Sequence, residues 1–144
     1  MSEEKDKIQG YNGHAYFSID DIAAMLPGPA RLMHEVGQRW WKVYYAAQET
    51  NWPLAEYEIK EMEELFEICM VTRPKYVQWM EPFLHSDVKA VKDAVKKKDW
   101  TSFEAAYHLA TKNANDYHKA ANKPLIVWKL PAMSPPDMEM KPQA

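Results

Sequence analysis

Apolar residues recur along this chain at alternating spacings of three and four, the period that puts them on one face of an α-helix. Met33, Val36, Trp40, Val43 and Ala47 form one such stripe, and Ala55, Ile59, Met62, Phe66 and Cys69 form a second. A third runs through Leu84, Val88, Val91 and Val95, and a fourth through Phe103, Tyr107, Ala110, Ala114, Tyr117 and Ala121. The glutamates around the second stripe, Glu56, Glu61, Glu63, Glu64 and Glu67, require mostly solvent-facing positions. No window alternates with period two over a useful length, so no sheet is expected.

The punctuation between stripes sets the helix ends. Ser18-Ile19-Asp20-Asp21 reads as a capping box with Asp in place of Glu, opening a short helix. Pro27-Gly28-Pro29 stops that helix near Leu26, and Pro29 suits the first turn of the next. The first long helix ends near Thr50-Asn51, and the second runs from about Pro53 to Arg73-Pro74. The third begins between Pro74 and Ser86, with Pro82 starting or kinking it. The fourth begins at Asp99 or Thr101, both good N-caps, and Pro124 ends it.

Four amphipathic helices on short links predict an all-α, antiparallel four-helix bundle, with a short N-terminal helix and an extended Pro-rich C-terminal tail. The expected organisation is a flexible arm over residues 1–17, a bundle domain over 18–130 and a disordered tail over 131–144. Leu125, Ile126, Val127 and Trp128 are expected to lie extended across the bundle.

Composition narrows the classes. A chain of 144 residues suggests one domain. The net charge of −3, with Lys and Arg spread along the chain, argues against a nucleic-acid partner. The basic run from Lys89 to Lys98 alternates with valines and reads as a solvated helix face. Cys69 is the single cysteine, so no internal disulfide can form; it falls on a core stripe, where a thiol acts as a small hydrophobe. Met1 to Lys7 is polar and acidic, unlike a signal peptide, and no run approaches a membrane span. A cytoplasmic protein with no membrane partner is expected.

The chemistry is concentrated in Lys112-Asn113-Ala114-Asn115-Asp116-Tyr117-His118-Lys119. A c-type haem attachment site is Cys-x-x-Cys-His, in which two thiols bond the haem vinyl groups and the histidine ligates iron. Ala114 and Tyr117 stand where the cysteines would be, and His118 stands where the ligand would be. The other histidines, His14, His34, His85 and His108, show no metal-ligand spacing. No Glu-x-x-His occurs, which argues against a di-iron carboxylate site. Glu58, beside the second stripe, is expected to pair with Arg31, Arg39 or Arg73. Trp40, Trp41, Tyr44, Tyr45, Trp52 and Tyr57 form an aromatic cluster that serves core packing, a flat pocket or a partner surface. Gly37 leaves room for close approach of a helix or a flat ligand.

Two stretches carry a family resemblance. One runs from Ala30 to Arg39 and on through Tyr44-Tyr45-Ala46-Ala47 to Tyr57; the other runs from Phe103 to Trp128 and contains the degenerate site. Over about residues 30–128 the chain resembles small bacterial cytochromes of the cytochrome c′ type. These are four-helix bundles with a Cys-Asn-x-Cys-His site near the end of the last helix, followed by an extended segment. Asn115 and His118 match that motif; Ala114 and Tyr117 depart from it. The resemblance implies a relative without covalent haem and a homodimer through the first two bundle helices. Covalent haem attachment belongs outside the bacterial inner membrane, so loss of the thiols and loss of an export signal would be expected together in a cytoplasmic relative.

The functional expectation is a non-enzymatic binding protein. Its interior, at His118, Tyr117, Ala114, Met33 and Trp40, would hold a small apolar or aromatic molecule, or non-covalent haem with His118 as the metal ligand. The alternative is a structural or accessory subunit of an enzyme complex with no bound cofactor.

Overall fold

The computed structural model describes residues 8–144. Residues 1–7, the stretch read against a signal peptide and part of the arm expected to be flexible, lie outside the described residues.

The rest of that arm departs from the expectation of no strand. β1 (Gln9–Tyr11) pairs antiparallel with β2 (Tyr16–Ser18), with Tyr11 opposite Tyr16. Asn12 makes the turn, its Oδ1 accepting from the amides of His14 and Ala15, while Gly13 takes φ +95. Ser18 then caps α1 (Ile19–Met25). Its hydroxyl accepts from the Asp21 amide at 3.0 Å, and Asp21 accepts from the Ser18 amide at 2.9 Å, completing the capping box.

The protein is otherwise mostly helical. α2 (Pro29–Gln48) and α3 (Trp52–Thr72) each carry Pro in the first turn, and Asn51 caps α3 by accepting from the Leu54 amide. After Arg73 the chain makes a 3₁₀ turn (Pro74–Tyr76) and runs into α4 (Val77–Pro82). Pro82 does more than kink the helix. It lacks an N–H and its ring crowds the preceding turn, and the following residues, Phe83–Val88, widen into a π-helical segment before α5 (Lys89–Lys97). Lys98 closes α5 in the left-handed region, and α6 (Trp100–Ala120) follows from Asp99. α2 packs on α3, α3 on α5, α5 and the π segment on α6, and α6 on α2.

The four stripes supply the core. Val43, Ala55, Ile59, Cys69, Val88, Val91, Phe103 and Tyr107 are all buried. No helix among the described residues is long and apolar enough to cross a membrane.

Disorder is the sequence expectation beyond Pro131, yet the structure lays this segment along α2 and the start of α3. Tyr45 Oη donates to the Pro131 carbonyl at 2.7 Å, Trp41 Nε1 to Met133, and Asn51 Nδ2 to Met140. Lys42 meets Asp137 at 3.1 Å, and Met140 is buried. The tail is held by polar handles on α2 rather than by an apolar stripe of its own, which is why no periodicity announced it.

Candidate functional site

The start of α2, the end of α3 and the turn after it are tied together at one end of the helical body. Thr72 Oγ1 donates to the Pro27 carbonyl at 2.7 Å, and Arg73 Nη1 donates to the Thr72 carbonyl at 2.9 Å. The last turns of α6 and the segment after it come to the same place. Between these elements lies a cavity of about 910 Å³, within the roughly 300–1,000 Å³ of small-molecule sites.

Its deep wall is rigid. Trp40 stacks on Tyr107 with centroids 4.2 Å apart and planes at 9°. The Tyr107 hydroxyl donates to the Trp40 carbonyl at 2.7 Å, Trp40 Nε1 donates to Thr111 Oγ1 at 2.9 Å, and Thr111 donates back to the Tyr107 carbonyl. Burial pushes the Tyr107 phenol well above its ordinary range, so it stays a donor.

His118 is oriented by its neighbour. Its Nδ1 lies 2.9 Å from the Ile126 carbonyl. A carbonyl only accepts, so Nδ1 carries the proton and Nε2 of the neutral ring keeps a lone pair. No hydrogen bond to Nε2 is formed among the described residues. This arrangement, a ring fixed through Nδ1 by a main-chain carbonyl, is the one that metal-ligating histidines use.

Met33, Trp40, Ala114, Tyr117 and His118 all line this one cavity. Tyr117 is half-buried, its ring edge-on to Phe83 at 6.3 Å. His34 also lines the cavity although it belongs to no metal pattern. Among the described residues no group of three or more His, Cys, Asp or Glu could hold a metal ion.

Other wall residues escaped the sequence reading. Met62 and Phe66 share the helical period of ordinary core residues, and periodicity does not separate core from cavity wall. Phe83 and Trp128 come from the π segment and the tail, which only the folded chain brings here. Gly37 has a more specific role than leaving room for a helix or ligand. Trp128 Nε1 sits 3.1 Å from where a Cβ on Gly37 would be, so the chain's own indole takes that space.

The remaining candidates have structural partners. Glu58, 1% exposed, accepts from Arg39 Nη1 at 3.0 Å, which selects Arg39 from the three arginines. Burial holds the Glu58 carboxyl above the usual carboxylate range, and the Arg39 charge offsets this only in part. Cys69 is buried, and its thiol is pushed up to about 11 by desolvation, which makes it a poor nucleophile. Within the aromatic cluster Trp40 and Trp52 are buried, Trp41 and Tyr45 bond the tail, and Tyr44 packs on Tyr107 at 5.0 Å. Tyr57 alone of the six is exposed.

No protein-family model, curated protein or solved structure matches this chain.

Proposed function

We propose that this chain is a non-enzymatic binding protein built as an antiparallel four-helix bundle of the cytochrome c′ type, without covalent haem. Its ligand is a small apolar or aromatic molecule, or haem held non-covalently. The observation that carries this reading is the cavity at one end of the bundle, where Met33, Trp40, Ala114 and Tyr117 meet a histidine whose Nε2 is unpaired.

The residues fit haem in three respects. The donor is a single imidazole already oriented through Nδ1. Ala114 adds little bulk to the wall, and the cavity has the volume of a ligand site. Bound there, haem would be held by His118 through Nε2 and would supply an iron centre. Trp40 would support the apolar face, and Tyr117 would limit how closely a macrocycle approaches His118. Neither Ala114 nor Tyr117 has a thiol and Cys69 is buried in α3 away from the cavity lining, so no thioether bond is available.

Titration with haemin tests this reading. A Soret band that forms with wild type and is altered in His118→Ala supports iron ligation; identical titrations remove haem from the proposal. The accessory-subunit alternative has one observation in its favour, since Trp128 already fills the space beside Gly37. On that alternative no small molecule competes for the cavity.

A further inference from the structure

We infer that the ligand of this cavity is an amphiphilic anion, with an apolar aromatic body against Trp40 and an acidic head on the basic, solvent side. This inference rests on the proposed function and adds the ligand's charge and its direction of entry.

The chain as a whole has more acidic than basic residues, 21 against 18. The cavity reverses that balance. Arg31, Arg73, Lys75 and Lys123 line it, and no Asp or Glu does. None of the four takes part in an ion pair among the described residues. Two carboxylates next in sequence to lining residues are engaged elsewhere: Glu35 lies 3.5 Å from Arg39, and Asp116 lies 2.8 Å from Lys112 and 3.7 Å from Lys119. Four formal positive charges therefore line one concavity with no carboxylate in its lining and none within ion-pair distance among the described residues.

The charges are also sorted by depth. Trp40, Met62 and Phe66 are buried, whereas Arg31, Lys75 and Lys123 are exposed and Arg73 is half-buried. The helix directions cause this. Arg31 begins α2 and Trp40 lies well inside it; Arg73 follows α3 and Phe66 lies two turns back. Arg31, Lys75 and Lys123 thus stand on the solvent side of the cavity, and Trp40, Met62 and Phe66 on its buried side. Two of the cations are held in place before any ligand arrives. Arg73 donates to the Thr72 and Leu26 carbonyls, at 2.9 and 3.5 Å, and Lys75 Nζ lies 5.1 Å from the centre of the Tyr76 ring. Low-dielectric walls focus the field of these charges into the cavity, favouring an anion whose body also removes apolar surface from water. A neutral hydrocarbon would leave the charges unused, and a hydrophilic anion would leave the aromatic floor unused. Haem, with its two carboxylates, belongs to the amphiphilic class, and so do simpler aromatic acids.

A matched pair of fluorescent probes tests the inference. Anilinonaphthalenesulfonate and phenylnaphthylamine share a ring system and differ in the sulfonate. Both should bind wild type, and both should be displaced in Ala114→Trp, which fills the cavity. In the combined variant Arg31→Gln, Lys75→Gln, Lys123→Gln, the sulfonate's Kd should rise about tenfold or more, while the neutral probe's changes by less than about twofold. Raising salt should weaken the sulfonate only. Arg73 is left intact because its side chain packs over Gly28, with Nε 3.0 Å from the Cβ position there. The inference is overturned if the sulfonate does not bind wild type, if the charge variant affects both probes alike or neither, or if Ala114→Trp leaves the sulfonate bound. Haemin binding alongside failure of the sulfonate would overturn this inference alone. Selective sulfonate binding without haemin ligation would overturn the haem part of the proposed function alone.

Discussion

Asn115 grips Trp128 through both ends of its side-chain amide: Nδ2 donates to the Trp128 carbonyl at 2.9 Å, and Oδ1 accepts from the Trp128 amide at 2.8 Å. One side chain thereby satisfies both main-chain groups of a residue in a segment with no regular structure, as a neighbouring strand would. The pair docks the segment after α6 across the cavity and seats the Trp128 indole on Gly37. It also brings the Ile126 carbonyl to His118. Asn115 therefore acts on the site through the segment it holds.

Asn115→Ala should release this segment. Removing both partners leaves two main-chain groups unpaired, at a cost of about 1–3 kcal/mol. The Trp128 amide should lose its protection from hydrogen exchange, and His118 should lose its fixed tautomer. Unchanged protection at Trp128 would mean that packing against Gly37 suffices to hold the segment.

Tyr107→Phe removes only the hydroxyl that donates to the Trp40 carbonyl. The stack can remain, and the Trp40 carbonyl, inside α2, keeps its intrahelical partner and loses only this second donor. Urea unfolding should show a loss of about 0.5–1.5 kcal/mol. A loss near zero would indicate that water or a shifted donor replaces the phenol.

Glu58 makes stability depend on pH in an unusual direction for a paired carboxylate. Burial outweighs Arg39, so the folded chain holds the Glu58 proton more tightly than the unfolded chain does. The stability from this group is present at low pH and is lost as the pH rises from the unfolded value, about 4.3, through the raised folded one. Arg39 itself is stabilised as a cation by the Glu58 and Glu35 charges, beyond what its own desolvation costs. The unfolding free energy of wild type relative to Glu58→Gln should therefore fall as the pH rises above about 4. A relative rise over that range would show that the ion pair outweighs burial.

A homodimer through α2 and α3 is proposed, with an exposed apolar face of α3 in its contact. Tyr57, Ile68 and Val71 are 52%, 43% and 79% exposed, and their spacing puts them on one helical face. Sedimentation equilibrium at micromolar protein should give twice the protomer mass, and Tyr57→Asp should return it to one. A monomer mass for wild type would remove the dimer.

Much of the helical scaffold was legible because the long helices α2, α3 and α6 announce themselves twice, by an apolar period and by their ends. The Ser18–Asp21 box, Pro29, Pro53 and Asp99 all stand at helix starts, while Asn51, read as the end of the first long helix, caps the second. The hairpin was not legible because its strands are three residues long, too short for alternation, although Asn12-Gly13 is a turn signal. The π segment follows from Pro82, but the sequence does not say whether a proline starts, kinks or widens a helix. For the site, the His118 motif and the α2 stripe led to one cavity, because the start of α2 and the end of α6 share an end of the body. The basic lining was missed because Arg31, Arg73, Lys75 and Lys123 are scattered in sequence, and only the topology gathers them.

The most direct test of the central claim is haemin affinity in Ala114→Trp, read from the Soret band and from quenching of tryptophan fluorescence. Ala114 lines the cavity on the same helix as His118, one turn away, so an indole there fills the proposed ligand space and spares the imidazole. The account predicts one haemin per chain for wild type, no haem retained after an acid–acetone wash, and an affinity reduced by about thirtyfold or more in a variant that remains folded; that factor corresponds to roughly 2 kcal/mol. Equal haemin affinity in wild type and folded Ala114→Trp would contradict the claim that this cavity is the binding site.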